Sequence, residues 1–186
     1  MAAVVIGASA GGPLALKILI AQLDADLHAA VVIVNHVGSE GPDMLADMLA
    51  HGARVPVVTA RERTPVLPGV IHVAPRGYHL LIERDRRFAL SIDEKVGFSR
   101  PSIDVLFRSA AEAYGPELAG VVLTGASADG AEGLRAIRQR GGLAFVQDPE
   151  EAETPTMPAA ALKLAGADFC GSLAAIADCI NKLDRP

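Results

Sequence analysis

Short apolar runs alternate with amphipathic stretches along the whole chain. Ala2 to Gly7 is a continuous run rich in β-branched residues, the pattern of a parallel strand buried on both faces. Pro13 to Leu23 follows as a helix with proline in its first turn. Ala29 to Asn35 reads as a second buried strand, Pro42 to His51 as a helix, and Val55 to Val58 and Val70 to Ala74 as short strands. Tyr78 to Glu83 and Arg87 to Ile92 each alternate apolar with other residues around Arg84-Asp85-Arg86, which predicts an antiparallel hairpin. Ile103 to Ala113 is a helix with Ser102 as N-cap. Gly120 to Thr124 and Leu143 to Val146 are strands flanking a helix at Ala131 to Arg140, and Pro158 to Leu164 and Ser172 to Leu183 close the chain as helices. This alternation predicts an α/β fold, a doubly wound, mostly parallel sheet with helices on both faces and an inserted antiparallel hairpin. Ligands of such sheets sit beyond the carboxyl ends of the strands.

Composition narrows the function. The 186 residues fit one domain covering 1–186, and 51% hydrophobic residues supply a core. Lys and Arg number 17 against 22 Asp and Glu, aromatics are 4% and Trp is absent. That leaves neither the basic surplus nor the stacking platforms of a nucleic-acid binder. Apolar runs such as Ala29 to Val34 stop far short of the roughly 20 residues of a membrane-inserted helix. The apolar N-terminus has no basic leader and is broken by glycines between residues 7 and 12, which argues against a signal peptide. Cys170 and Cys179 form no metal or redox motif, and such sparse cysteine use suits a reducing cytoplasm.

Three polar residues fall at three strand ends. Ser9 lies in Gly7-Ala8-Ser9-Ala10-Gly11-Gly12, where a strand turns directly into a helix. The amides there point outward at the positive end of the helix dipole, suited to an oxyanion; the other reading makes Ser9 a helix cap beside a phosphate-binding turn. His36 ends the second strand and has the right chemistry for a general base, or it is a hydrogen-bonded rim histidine. Asp129, in Thr124-Gly125-Ala126-Ser127-Ala128-Asp129-Gly130, follows another buried strand and either caps a helix or orients a histidine. Together they supply a nucleophile, a base and a carboxylate to one sheet edge. His28, His51 and His72 fit structural roles. A dinucleotide site fits poorly, because G-x-G-x-x-G is absent and His36 stands where a ribose-binding acid belongs.

The run Val5-Ile6-Gly7-Ala8-Ser9-Ala10-Gly11-Gly12 resembles the opening motif of the catalytic domain of chemotaxis protein-glutamate methylesterases, the CheB family. Val34-Asn35-His36-Val37, Val73 to Leu80, Arg100 to Phe107, Leu123-Thr124-Gly125 with Asp129-Gly130, and Met157-Pro158 resemble further blocks of that family, in its order. The resemblance implies Ser9 as nucleophile, His36 as base and Asp129 as orienting carboxylate, with Ala10, Gly11, Gly12, Ala126, Arg100 and Met157 on the oxyanion or substrate side. It implies hydrolysis of γ-glutamyl methyl esters on the cytoplasmic helices of methyl-accepting chemoreceptors, with glutamine deamidation as a related reaction and no cofactor or metal.

Several positions depart from the family pattern. Ala10 replaces a hydroxyl residue after the nucleophile, Ala126 a methionine and Ser127 a glycine. They motivate two alternatives: a catalytically weakened regulatory module on the same fold, or a small-molecule esterase. Family members in chemotaxis carry an N-terminal receiver domain, and the catalytic strand here begins at residue 2. The expectation is a stand-alone esterase answering to a separate regulatory protein, or the catalytic part of a longer chain. Arg100 is either a structural residue or a reader of the acidic receptor helix. Asp104 reads as an acid favouring its own helix's first turn, His79 as a structural hydrogen-bonding residue, and Glu150, Glu151 and Glu153 as a solvated loop, with a place at the rim of the site as the other reading.

Overall fold

The computed structural model describes residues 1–36 and 44–184. Seven strands form one parallel sheet: β1 (Ala3–Ala8), β2 (Ala30–Asn35), β3 (Val57–Thr59), β4 (Ile71–Val73), β7 (Leu118–Val122), β8 (Leu143–Gln147) and β9 (Phe169–Gly171). Their order across the sheet is β3-β4-β2-β1-β7-β8-β9. Between β4 and β7 the chain forms a separate antiparallel pair, β5 (His79–Ile82) and β6 (Phe88–Ser91). The hairpin is therefore an insertion that makes its own small sheet.

The central strands are mostly apolar because both their faces are covered, and period-two alternation divides their side chains between two cores. Ala3 and Val5 of β1 join one apolar cluster, with Phe107, Leu134 and Ala161. Those three come from α3 (Ile103–Tyr114), α4 (Ala131–Gln139) and α5 (Thr156–Leu164). Val4, Ile6 and Ala8 join the other, with Leu16, Leu49 and Ile180. These belong to α1 (Gly12–Ile20), α2 (Leu45–Ala50) and α6 (Leu173–Asp184). The hairpin packs under α3 with Leu80, Ile82 and Phe88 in the first cluster.

The order of strands matters for function. From β1 the chain moves outward through β2 to β3 at the edge, fills in β4 between them, then returns to lay β7 on the other side of β1. This is a switch point, and the crevice of a doubly wound sheet opens there, beyond the carboxyl ends of the strands.

Some boundaries differ from the sequence pattern. Helix α1 ends at Ile20 rather than Leu23, since Gln22 N–H bonds to Leu19 O and Leu23 N–H to Ile20 O, tightening the chain into turns. Leu23 is still buried and so keeps the apolar periodicity going past the helix end. Strand β7 begins two residues early, at Leu118. The edge strand β9 is only three residues long, too short to register as an alternating run. Pro42, at the start of the expected second helix, and Val37 lie outside the described residues. No helix among the described residues is long and apolar enough to cross a membrane.

Candidate functional site

Ser9 follows the last residue of β1 and His36 follows the last residue of β2. The two strands pair in register with Ala8 opposite Asn35, and His36 N–H continues the ladder to Ala8 O at 3.0 Å. Ser9 and His36 are thus the next register partners, on strands roughly 5 Å apart. Ala8 and Asn35 turn toward α1, for a Cβ built on Gly12 would strike both their side chains. Alternation sends Ser9 and His36 to the other face, and that is where Asp129 lies. His36 Nε2 is 2.8 Å from Asp129 Oδ2. Three residues separated by up to 120 positions therefore meet at one rim, although among the described residues the Ser9 hydroxyl itself has no hydrogen-bond partner.

Asp129 is buried, and every partner of its carboxylate is a donor. Oδ2 accepts from His36 Nε2 and, at 2.7 Å, from Ile103 N–H. Oδ1 accepts from Ser102 Oγ–H at 3.0 Å and Asp104 N–H at 2.9 Å. Burial pushes its carboxyl pKa up, but the bonds from His36 and the two amides outweigh this and hold it below the usual carboxylate range. The amides belong to the N-terminus of α3, where partial positive charge favours an anion. Since an ionised carboxylate only accepts, Nε2 carries the proton of a neutral His36 and Nδ1 is the basic nitrogen.

Asp129 does not cap the helix that follows it. The N-cap of α4 is Gly130, with φ 96°, and a Cβ there would lie 2.8 Å from Ile103 Cγ2. Ser9 is no cap either: the N-cap of α1 is Gly11, with no side-chain bond. Ser102 caps α3 as expected, accepting weakly from Val105 N–H at 3.5 Å while its hydroxyl proton goes to Asp129.

The turn that carries Ser9 is laced to its neighbours. Ser9 N–H donates to Thr124 O at 3.0 Å, and Thr124 Oγ1 donates to Ala10 O at 2.9 Å. Thr124 N–H in turn donates to the buried Gln147 Oε1 at 2.8 Å. Met157 is fully buried and packs beside Gly125, where a Cβ would come 2.7 Å from Met157 Cε and 2.9 Å from Ser9 Cβ. Gly125 is therefore required by close approach. Ala10 and Ala126 are exposed. Among the described residues, the N–H groups of Ala10, Gly11 and Ala126 have no internal acceptor.

Arg100 uses Nη1 on the carbonyls of Ile92, at 2.6 Å, and Asp93, at 2.9 Å. It pins the segment leaving the hairpin. His79 is buried and bridges this segment to α3. Its Nδ1 accepts from Ser102 N–H at 3.2 Å, which leaves Nε2–H to donate to Glu94 O at 3.0 Å. Glu153 rims the site, with its carboxylate against Gly11. Gln147 and Thr124 gave no signal in the sequence beyond ending buried strands, because their role is hydrogen bonding across strands. His51 Nδ1 bonds Asp47 O, and the ring of His72 packs edge-on to Phe88. Among the described residues, no group of three or more His, Cys, Asp and Glu side chains could hold a metal ion.

Comparison with known proteins adds an independent line. The family model described as CheB methylesterase matches residues 4–180. A relative from Leptospira interrogans, named putative protein-glutamate methylesterase/protein-glutamine glutaminase, is 44% identical over 183 residues, covering 98% of this chain and 95% of its own. Protein-glutamate methylesterase/protein-glutamine glutaminase 3 of Pseudomonas aeruginosa is 40% identical over 94% of this chain, which spans only 52% of that protein. The crystal structure of the Thermotoga maritima CheB methylesterase catalytic domain superposes with a TM-score of 0.93 at 29% identity, covering 98% of each chain.

Proposed function

Since the chain belongs to the CheB methylesterase family, we propose that it hydrolyses γ-glutamyl methyl esters through Ser9, His36 and Asp129. The substrate we assign is the methylated helical region of chemoreceptors on the cytoplasmic side of the membrane. The observation that carries this reading is the 2.8 Å bond from His36 Nε2 to Asp129, with Ser9 in the register position beside His36.

Ser9 Oγ attacks the ester carbonyl while His36 Nδ1 takes its proton. The imidazolium so formed is stabilised by ionised Asp129. Collapse of the tetrahedral intermediate expels the methoxy group, which leaves as methanol with the proton from His36. Water, activated by the same imidazole, then cleaves the acyl-serine and frees a glutamate carboxyl. Glutamine deamidation follows the same course with ammonia as leaving group. The uncommitted amides of Ala10, Gly11 and Ala126 are candidates to receive the oxyanion. A well-placed donor of this kind is worth about 3 kcal/mol in the transition state.

The test is release of labelled methanol from receptor-bearing membranes whose glutamyl esters carry labelled methyl groups. The wild-type chain is expected to release it, and Ser9→Ala to lose at least about 10³-fold in rate. Equal release by the two proteins overturns the assignment.

A further inference from the structure

The residue beyond the triad that the geometry singles out is Asp104. It stands in the first turn of α3, yet its carboxylate does not serve its own helix. Oδ1 accepts from Gly130 N–H at 3.0 Å and from Gly133 N–H at 2.6 Å, two amides at the start of α4. That helix has no side-chain cap of its own, so Asp104 closes it from a neighbour. The reverse exchange is equally direct. Asp129 stands immediately before α4 and takes the amides of Ile103 and Asp104 at the start of α3. Each helix N-terminus thus holds the carboxylate belonging to the other.

The two helices approach closely enough to make this exchange rigid. A Cβ on Gly133 would lie 2.5 Å from Phe107 Cβ and 3.1 Å from the Asp104 Cα. Neither side chain can move without disturbing the other, because the Asp104 amide binds Asp129 while the Asp104 carboxylate binds the residue after it. The charges facing Asp104 are Asp129 across the helix pair and Arg108 on its own helix.

We propose that Asp104 is a positioning residue: by capping α4 from α3 it fixes the Asp129 carboxylate against His36, and so sets the turnover of the site. The proposal deepens the assignment of Ser9, His36 and Asp129 and rests on it. The Asp104 carboxylate is engaged by the Gly130 and Gly133 amides, so on this proposal its loss acts on kcat rather than KM.

The experiment compares Asp104→Ala with Asp104→Asn. Asparagine keeps an oxygen for the two α4 amides; alanine removes it. Asp104→Ala is expected to lose about tenfold to 10²-fold in kcat for methanol release, with KM changed by less than about threefold. Asp104→Asn should return to within about threefold of wild type. Histidine-labelled protein supplies a readout apart from activity: the His36 ring nitrogens should lose the signature of an Nε2–H held by carboxylate in the alanine variant and keep it in the asparagine variant. Should Asp104→Ala fail to fold, Asp104→Ser, which keeps a shorter acceptor, takes its place with an intermediate loss expected. A folded alanine or serine variant with wild-type kcat and unchanged His36 resonances overturns the proposal, as does an asparagine variant no better than alanine. If wild type and Ser9→Ala release methanol equally, the triad assignment fails instead, and the His36 resonances still report on Asp104 by themselves.

Discussion

At the scale of single residues, two carboxylates a few ångströms apart are pushed in opposite directions. Asp129, with four donors, is held below the usual range in spite of its burial. Its contribution to stability is present above the ordinary aspartate value and is lost as pH falls through the depressed one. Asp104 is pushed up to about 6, first by burial and further by the charge of Asp129, against the pull of the Gly133 amide. Between its ordinary value of 3.8 and about 6, the folded protein keeps a proton that the unfolded chain has released. On its account, stability therefore falls as pH rises through that window. The difference in Tm between wild type and Asp104→Asn should move in favour of the variant from about pH 4.5 to about pH 7; a constant difference would count against the upward shift. Asp129→Asn should behave otherwise. All four of its partners are donors, so an amide nitrogen meets a donor whichever way it turns. We expect a loss of about 1–3 kcal/mol in stability together with a roughly 10³–10⁴-fold fall in kcat, read by denaturant titration and by methanol release. That Ser9, His36 and Asp129 gather at one sheet edge could be read from the sequence, because the first two directly follow buried strands and the third lies in the loop after another. The partners of Asp129 could not, since Ser102 and Asp104 look like an ordinary N-cap and first-turn acid. Capping rules are local in sequence, and here the acid serves a helix nearly thirty residues away.

At the scale of elements, the site depends on how closely α3 and α4 pack. Gly133 and Gly130 allow this, one meeting Phe107 and Asp104, the other Ile103. Gly133→Ala drives a methyl group against Phe107 Cβ and the α3 backbone, neither of which can swing aside. Overpacking of this kind costs about 1–3 kcal/mol, and the helices must part at the place where they exchange carboxylates. The expected outcome is a lowered denaturation midpoint together with a loss of kcat. Gly52→Ala is the matched control: nothing lies within 4 Å of a Cβ there, so both quantities should stay near wild type. If the two variants behave alike, close helix approach is not what holds the site. The sequence identified both helices nearly to the residue, because their apolar faces have helical spacing. It was silent on their separation, since a glycine inside an amphipathic pattern looks the same whether it meets solvent or another backbone.

At the scale of the whole molecule, strand order brings the pieces together. The switch point between β1 and β7 places residues 9 and 129 at the same sheet edge, and β2 adds His36 from the other side of β1. Alternation of strands with helices was enough to predict a doubly wound sheet, but not that the β5–β6 pair forms a sheet of its own. A two-stranded hairpin is marginal alone in water. This one is stable because Leu80, Ile82 and Phe88 are buried in the same core as Val32 and Phe107. Phe88 is fully covered and meets the His72 ring of β4 edge-on, with centroids 4.9 Å apart. The hairpin also carries His79, which holds Ser102 and through it the N-terminus that cradles Asp129. Hairpin, sheet and site should therefore melt as one unit. Phe88→Ala is expected to cost about 3–5 kcal/mol while leaving a single unfolding transition, with ellipticity and methanol release lost together. A variant that unfolds in two steps, with the main sheet surviving the first, would show instead that the hairpin is an appendage, and the link from His79 to the site would lose its structural basis.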